Sequence, residues 1–247
     1  MKKIFLFAFV VVLIISIIPL NTIASSDKND KDKERTEIVA LFGTLLAPSI
    51  FCSAKPEKIG VSMYGRIITG EGEVPDFGTD VKGNIDSLQI YLNGRVGGFG
   101  ATLGFGQGNE FEFSQPLILS VDYKLTLLKS ALLNAAVDGQ YSTIYLPDEK
   151  TMKVSALGFG VASINGLISA NILFLLEPYA GVTLNYVYLN SKENSKNKLY
   201  DVWKPVPKLG LKVKLLPFVS VGSEVSFVMN DIINDSWLWN FGASVKF

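Results

Sequence analysis

The chain has 247 residues, 48% of them hydrophobic and only 19% charged, which excludes a disordered polymer. Its 23 basic and 23 acidic residues cancel, leaving neither a basic face for nucleic acid nor an acidic tail for a basic partner. A single cysteine excludes an internal disulfide framework, and the lack of histidine removes the commonest general base and metal ligand. No cofactor, metal or nucleic-acid partner is expected.

Lys2 and Lys3 precede an apolar run from Ile4 to Leu20, and small residues follow around Thr22 and Ala24. Residues 1–24 read as a cleaved secretory signal peptide; because the run exceeds the usual 7–15 residues, an uncleaved anchor is the alternative. Asp27 to Glu37 is dense in Lys, Asp and Glu and reads as a solvated linker. Ile38 to Ala54 is apolar but broken by Gly43 and Pro48, too short for the ~20 residues of a membrane helix. Residues 25–57 are thus a charged linker plus an apolar segment of open structure. Cys52 follows Phe51 rather than a small residue, so a buried free thiol is expected, not a lipid anchor.

From Ile59 onward the pattern has period two, the mark of strands with two different faces. Two weaker segments lie near Ile59–Ile68 and Ile85–Asn93. Apolar faces then follow at Phe99, Ala101, Leu103 and Phe105, at Leu117, Leu119, Val121, Tyr123, Leu125 and Leu127, and at Leu133, Ala135, Val137, Tyr141 and Tyr145. Further along they recur at Leu157, Phe159 and Val161, at Ala180, Val182, Leu184, Tyr186 and Tyr188, and at Leu209, Leu211, Val213 and Leu215. The last two faces are Val219, Val221, Val225, Phe227 and Met229, then Trp237, Trp239, Phe241, Ala243, Val245 and Phe247. The count is about ten.

The opposite faces carry glycines at 98, 100, 104, 106, 158 and 160, Ala156, and single charges. Small and charged residues facing a narrow lumen, with bulky apolar ones outside, indicate an all-β chain closed into a single antiparallel up-and-down transmembrane β-barrel over residues 58–247. Connections alternate between short (Gly94–Gly97, Lys129–Ser130, Leu216–Pro217) and long (Gln107–Gln115, Ser191–Pro207, Asn230–Ser236), as in outer-membrane barrels with both termini periplasmic. Ile164–Pro178 is too long for a short turn; if it and Ile38–Ala47 are strands, the count is twelve, and eight is the other alternative.

The signal peptide, the run Lys208–Met229 with its Leu216-Pro217 turn, and the final strand Trp237–Phe247 give the chain its likeness to known proteins. In architecture it resembles the small bacterial outer-membrane β-barrels of the OmpA-like and OmpX-like kinds. The resemblance implies the bacterial outer membrane as location, with outer-membrane lipid and the insertion machinery as partners and Phe247 as the assembly signal. It implies no substrate, and the oligomeric state stays open. Outer-membrane enzymes of this architecture rely on a histidine, which this chain lacks.

Lumen-facing charges on this register are Arg66, Lys124, Lys208, Lys212, Lys214 and Lys246 against Asp122, Asp138 and Glu224. They either interlock to fill a narrow barrel or line a thin pore that prefers anions. Asp122 and Asp138 lie on adjacent strands and both face the lumen, and with Lys124 nearby they suit ion pairing better than paired-carboxylate catalysis. Tyr145, Tyr186, Tyr188, Trp237 and Trp239 at one end, and Tyr179 at the other, read as interfacial girdle residues. The expected function is non-enzymatic, either structural or a narrow passive pore for small solutes. An exported soluble β-sandwich or adhesin is the second reading, and a histidine-free barrel enzyme the third.

Overall fold

Alternation along so many consecutive segments leaves each strand one face that must be buried, and the chain buries it by curling into a closed ring. The structure, a computed structural model, describes residues 30–48, 54, 59–69, 71–75, 80–84, 87–108, 116–146, 157–172, 175–193, 196–229 and 236–247. The proposed signal peptide and Cys52 lie outside the described residues. Among the described residues, one helix, α1 (Asp30–Leu46), is followed by β1 (Ile59–Thr69), β2 (Glu71–Pro75), β3 (Asp80–Asn84), β4 (Ser87–Val96), β5 (Phe99–Gly108) and β6 (Leu117–Lys129). The chain continues through β7 (Leu133–Leu146), β8 (Leu157–Ala170), β9 (Leu176–Glu193), β10 (Lys196–Lys214), β11 (Val219–Val228) and β12 (Ser236–Lys246).

β1 and β4 through β12 form a closed antiparallel barrel of sequential neighbours, with β1 pairing both β4 and β12; β2 and β3 form a separate hairpin. These ten barrel strands match the ten sequence segments. Closure pairs every strand on both sides, which a lipid-embedded sheet requires. Outside, Met63, Val96, Val121 and Leu209 are each 60–66% exposed, as part of an apolar band running around the ring. Apolar surface on this scale is not left in water; it faces lipid.

A twelve-stranded barrel is ruled out. Ile38–Ala47 belongs to α1 and the residue after it, and Ile164–Pro178 is divided between the continuation of β8, a tight turn and the start of β9. The turn after β4 sits at Gly97 and Gly98, with Val96 paired to Phe99; Gly97 has φ +61°, the left-handed conformation a two-residue hairpin turn demands.

Ser191–Pro207 is not a loop either, since β9 and β10 run on as a paired ladder up to Glu193 and Lys196. The prolines explain why β11 does not follow. Lys214 N–H donates to Leu175 O on the β9 side, so even-numbered residues of β10 bond toward β9 and odd-numbered ones toward β11. Pro205 and Pro207 have no N–H to offer β11, and the β10–β11 register ends at Lys208 and Ser226.

Candidate functional site in the barrel lumen

The lumen holds the chain's own helix. It begins at Asp30, and Pro48 follows its end. Val39, Ala40, Leu41, Leu45 and Leu46 are all buried, so this part of the helix is apolar on every side, which only an enclosed position tolerates. Gly43 lets its backbone approach the wall, because a Cβ there would lie 2.1 Å from Val187 Cγ1. Asp30–Glu37, expected as part of a linker, is instead the first part of α1, with Thr36 already buried.

The helix is inserted from the end that carries the long connections. Glu37 pairs with Lys204 at 2.6 Å, and Leu41 and Leu45 pack against Ile68, Val206, Val228 and Leu238, which lie toward that end of their strands. Val206 and Val228 lie just beyond the last β10–β11 register pair, so the helix packs where that ladder stops. Val39, Leu46 and Ala47 share a cluster with Tyr64, Tyr91, Ile118, Ile144, Val161, Val187, Leu189 and Tyr200. Ala54, farther along the chain, packs on Ala136, Leu167 and Tyr179 near the turn end. The described parts of the segment before β1 thus run from α1 at the loop end to Ala54 near the turn end, and the barrel's own two ends, Ile59 and Phe247, lie together at the turn end.

A helix ends in unsatisfied carbonyls, and α1 carries no basic residue in its last turn. The wall supplies the donors. Arg66 Nη1 donates to Leu45 O at 2.9 Å and Ala47 O at 2.6 Å, and the Tyr91 hydroxyl donates to Leu46 O at 3.0 Å. Gln140 Nε2 donates to Pro48 O at 3.1 Å. Arg66 is itself held, with Nε on Asn240 Oδ1 at 2.9 Å and its guanidinium 5.1 Å from the Tyr91 ring centroid. The Tyr91 ring stacks on Tyr64 at 4.8 Å.

Below the helix the lumen turns ionic. Arg95 bonds Asp122 and lies 3.6 Å from Asp138 Oδ2, so one guanidinium serves both carboxylates. Lys124 and Asp138 are register partners, and Lys208 Nζ donates to Asn165 Oδ1 at 3.4 Å. Glu224 accepts from Asn240 Nδ2 at 3.0 Å and from the Tyr179 hydroxyl at 3.1 Å. Lys212 is buried on β10, while Lys214 and Lys246 are half-buried near the turn end. Among the described residues no group of three or more His, Cys, Asp or Glu side chains is placed to hold a metal ion.

Three lumen charges escaped the sequence reading. Arg95 continues the inward series Gln89, Tyr91, Asn93, but the strand was ended one step too early. Glu177, which accepts from Ser169 Oγ at 3.0 Å, lay in the misread Ile164–Pro178 connection, and Lys204 lay in the supposed loop.

Two orientations differ from expectation. Val161 points into the lumen and Gly160 away from it, beneath Tyr188, because the inner face of β8 meets an apolar helix instead of water. Tyr179 is no girdle residue: it is buried inside, and its ring fills the space beside Gly210, where a Cβ would lie 2.1 Å from Tyr179 Cζ. The remaining aromatics face outward near the loop end. Trp237 and Trp239 are exposed and Tyr145 half-buried, while Tyr186 packs on Trp203 at 4.9 Å and the Tyr188 hydroxyl meets that of Tyr141 at 2.8 Å.

No protein-family model matches the chain, and no curated protein matches it by sequence. Solved structures do. The β domain of the Bordetella autotransporter BrkA is 10% identical, with 77% of this chain and 100% of that one covered at a TM-score of 0.52. The fold is that of the outer-membrane β-barrels. The transport unit of the Escherichia coli autotransporter AIDA-I (9% identity, 90% and 100% covered, TM-score 0.45) and Ail of Yersinia pestis (10% identity, 78% and 100% covered, TM-score 0.36) are similar at lower scores. With its apolar band in lipid, the barrel belongs in the outer membrane.

Proposed function

We propose that the protein is a non-enzymatic outer-membrane barrel closed by its own N-terminal segment, a structural element rather than a standing pore. The observation that carries this reading is the grip of Arg66 and Tyr91 on the last carbonyls of α1 inside the lumen. A helix so capped fills the path a solute would take. Planar-bilayer recordings test it: the full-length barrel should give little steady conductance, and deletion of Asp30–Ala47 should open it. Equal conductance with and without the helix would end this reading.

A second reading concerns the barrel once the helix is displaced. Its wall then presents Arg66, Arg95, Lys124, Lys204, Lys208, Lys212, Lys214 and Lys246 against Asp122, Asp138, Glu177 and Glu224 among the described residues. That excess of cations supports anion preference in the opened state. Lys212→Glu with Lys214→Glu should weaken or reverse it.

Assembly rests on the other end of the chain. Phe247 is 77% exposed beside β12, free for the outer-membrane insertion machinery to engage. Deleting it should lower the yield of folded barrel without reducing export across the inner membrane, read as the heat-modifiable fraction on gels.

A further inference from the structure

Sealing the lumen makes no use of the outer wall, and there the ring is not evenly padded. A groove of about 550 Å³ crosses the lipid-facing side of β4 to β7. Gly94, Ala101, Val121 and Tyr141 are successive register partners along it, and the parallel row from Leu92 to Thr143 lies one step nearer the loop end. The floor is open because a Cβ at Gly94 would meet nothing within 4 Å, whereas Leu92 and Leu119 stand up beside it, 50% and 45% exposed. Crossing four strands gives it a length of about 14 Å, three spacings of about 4.8 Å.

The groove also has a direction. It begins beside Val96 and Phe99, at the turn end of β4 and β5, and climbs to Tyr141 and Thr143 in the loop-end part of β7. Thr102 and Ser120 also line it, but their hydroxyls are taken up by Asn93 and by Gln140 and Ser142, so the outward-facing hydroxyls are those of Tyr141 and Thr143 at the high end, where Tyr141 is bonded to Tyr188 and the cluster continues through Tyr186 to Trp203. Aromatic residues with polar tips mark the depth of lipid headgroups. An apolar trough that is continuous with the lipid-facing band and ends in hydroxyls at headgroup depth matches a molecule of the same polarity.

We propose that this groove binds one acyl chain of an outer-leaflet lipid, with the headgroup beside Tyr141 and Tyr188 and the chain running down toward Ala101. The test uses the full-length folded protein in vesicles of phosphatidylethanolamine carrying a photoreactive group at the end of one acyl chain, with cross-linked peptides mapped. Adducts should concentrate on β5 near Ala101 and be sparse on the wall around Leu209 and Trp239. Moving the reactive group next to the headgroup should shift them to Tyr141. Gly94→Leu with Ala101→Leu should lower the adduct yield about tenfold by filling the floor. An even spread around the ring, or the reverse order of depth, would overturn the proposal, as would cross-links between two copies of the chain at Ala101. If the double variant does not fold, the wild-type map decides alone.

Discussion

The two halves of the lumen are built from the same strands yet follow opposite rules. Toward the loop end the wall presents Ile68, Ile118, Ile144, Val161, Val187 and Leu189 to a helix that is itself apolar. Toward the turn end the wall presents Arg95, Asp122, Lys124, Asp138, Lys208 and Glu224 to one another. The difference shows that a barrel interior is set by what occupies it. Where a helix fills the space, dispersion and burial hold the contents; where only side chains meet, charges must pair. Arg66 stands at the border, with one face on helix carbonyls and the other on Asn240, which leads on to Glu224.

The sharpest way to break the comparison is to damage one half and watch the other. Arg95→Ala leaves Asp122 and Asp138 buried without their shared guanidinium, and breaking a buried pair in this way costs about 3–5 kcal/mol. Urea unfolding of the reconstituted barrel should show that loss, while bilayer conductance stays as low as in the wild type because the helix is untouched. Asp122→Asn in the same chain should recover part of the stability. Conductance rising with Arg95→Ala alone would mean that the ionic half, not the helix, closes the lumen.

Arg66→Ala inverts the pattern. It removes the donor to Leu45 O and Ala47 O, and each buried carbonyl left without a partner costs about 1–3 kcal/mol. That loss falls on helix docking, so conductance should appear in bursts as the helix leaves and returns, with a smaller change in the unfolding midpoint of the barrel. A stability loss without any gain in conductance would assign Arg66 to the wall alone.

The barrel was legible in the sequence because its outer face meets one uniform solvent. Lipid demands an apolar residue at every second position, so Leu209 to Leu215 and Trp237 to Val245 could be read directly as outward. The inner face meets two different neighbours, and there the reading failed where the neighbour was unforeseen. Val161 looked outward because an apolar residue facing a wet lumen made no sense, and α1 was the missing partner. The helix itself left little trace, since burial on all sides removes the 3.6-residue alternation by which a surface helix is recognised. Its cap was invisible too, because Arg66 reaches it from β1 rather than from its own last turn.

The smallest test concerns Tyr179, whose place inside the barrel decides whether the ionic half is packed or merely charged. Its hydroxyl donates to Glu224 Oε2 at 3.1 Å while its ring occupies the room that Gly210 leaves. Tyr179→Phe keeps the ring and deletes one hydrogen bond to a charged acceptor, a loss of about 1.5–3 kcal/mol, with Asn240 still bonded to the other oxygen of Glu224. Gly210→Ala, in contrast, forces the ring to move and should cost about 1–3 kcal/mol through overpacking with the hydrogen bond chemically available. If the Tyr179 ring acts as filler, the two costs should be strongly non-additive in the double variant, because a displaced ring can no longer place the hydroxyl. Additive losses in urea unfolding would show that ring and hydroxyl work independently, and that Glu224 is held by Asn240 whatever the tyrosine does.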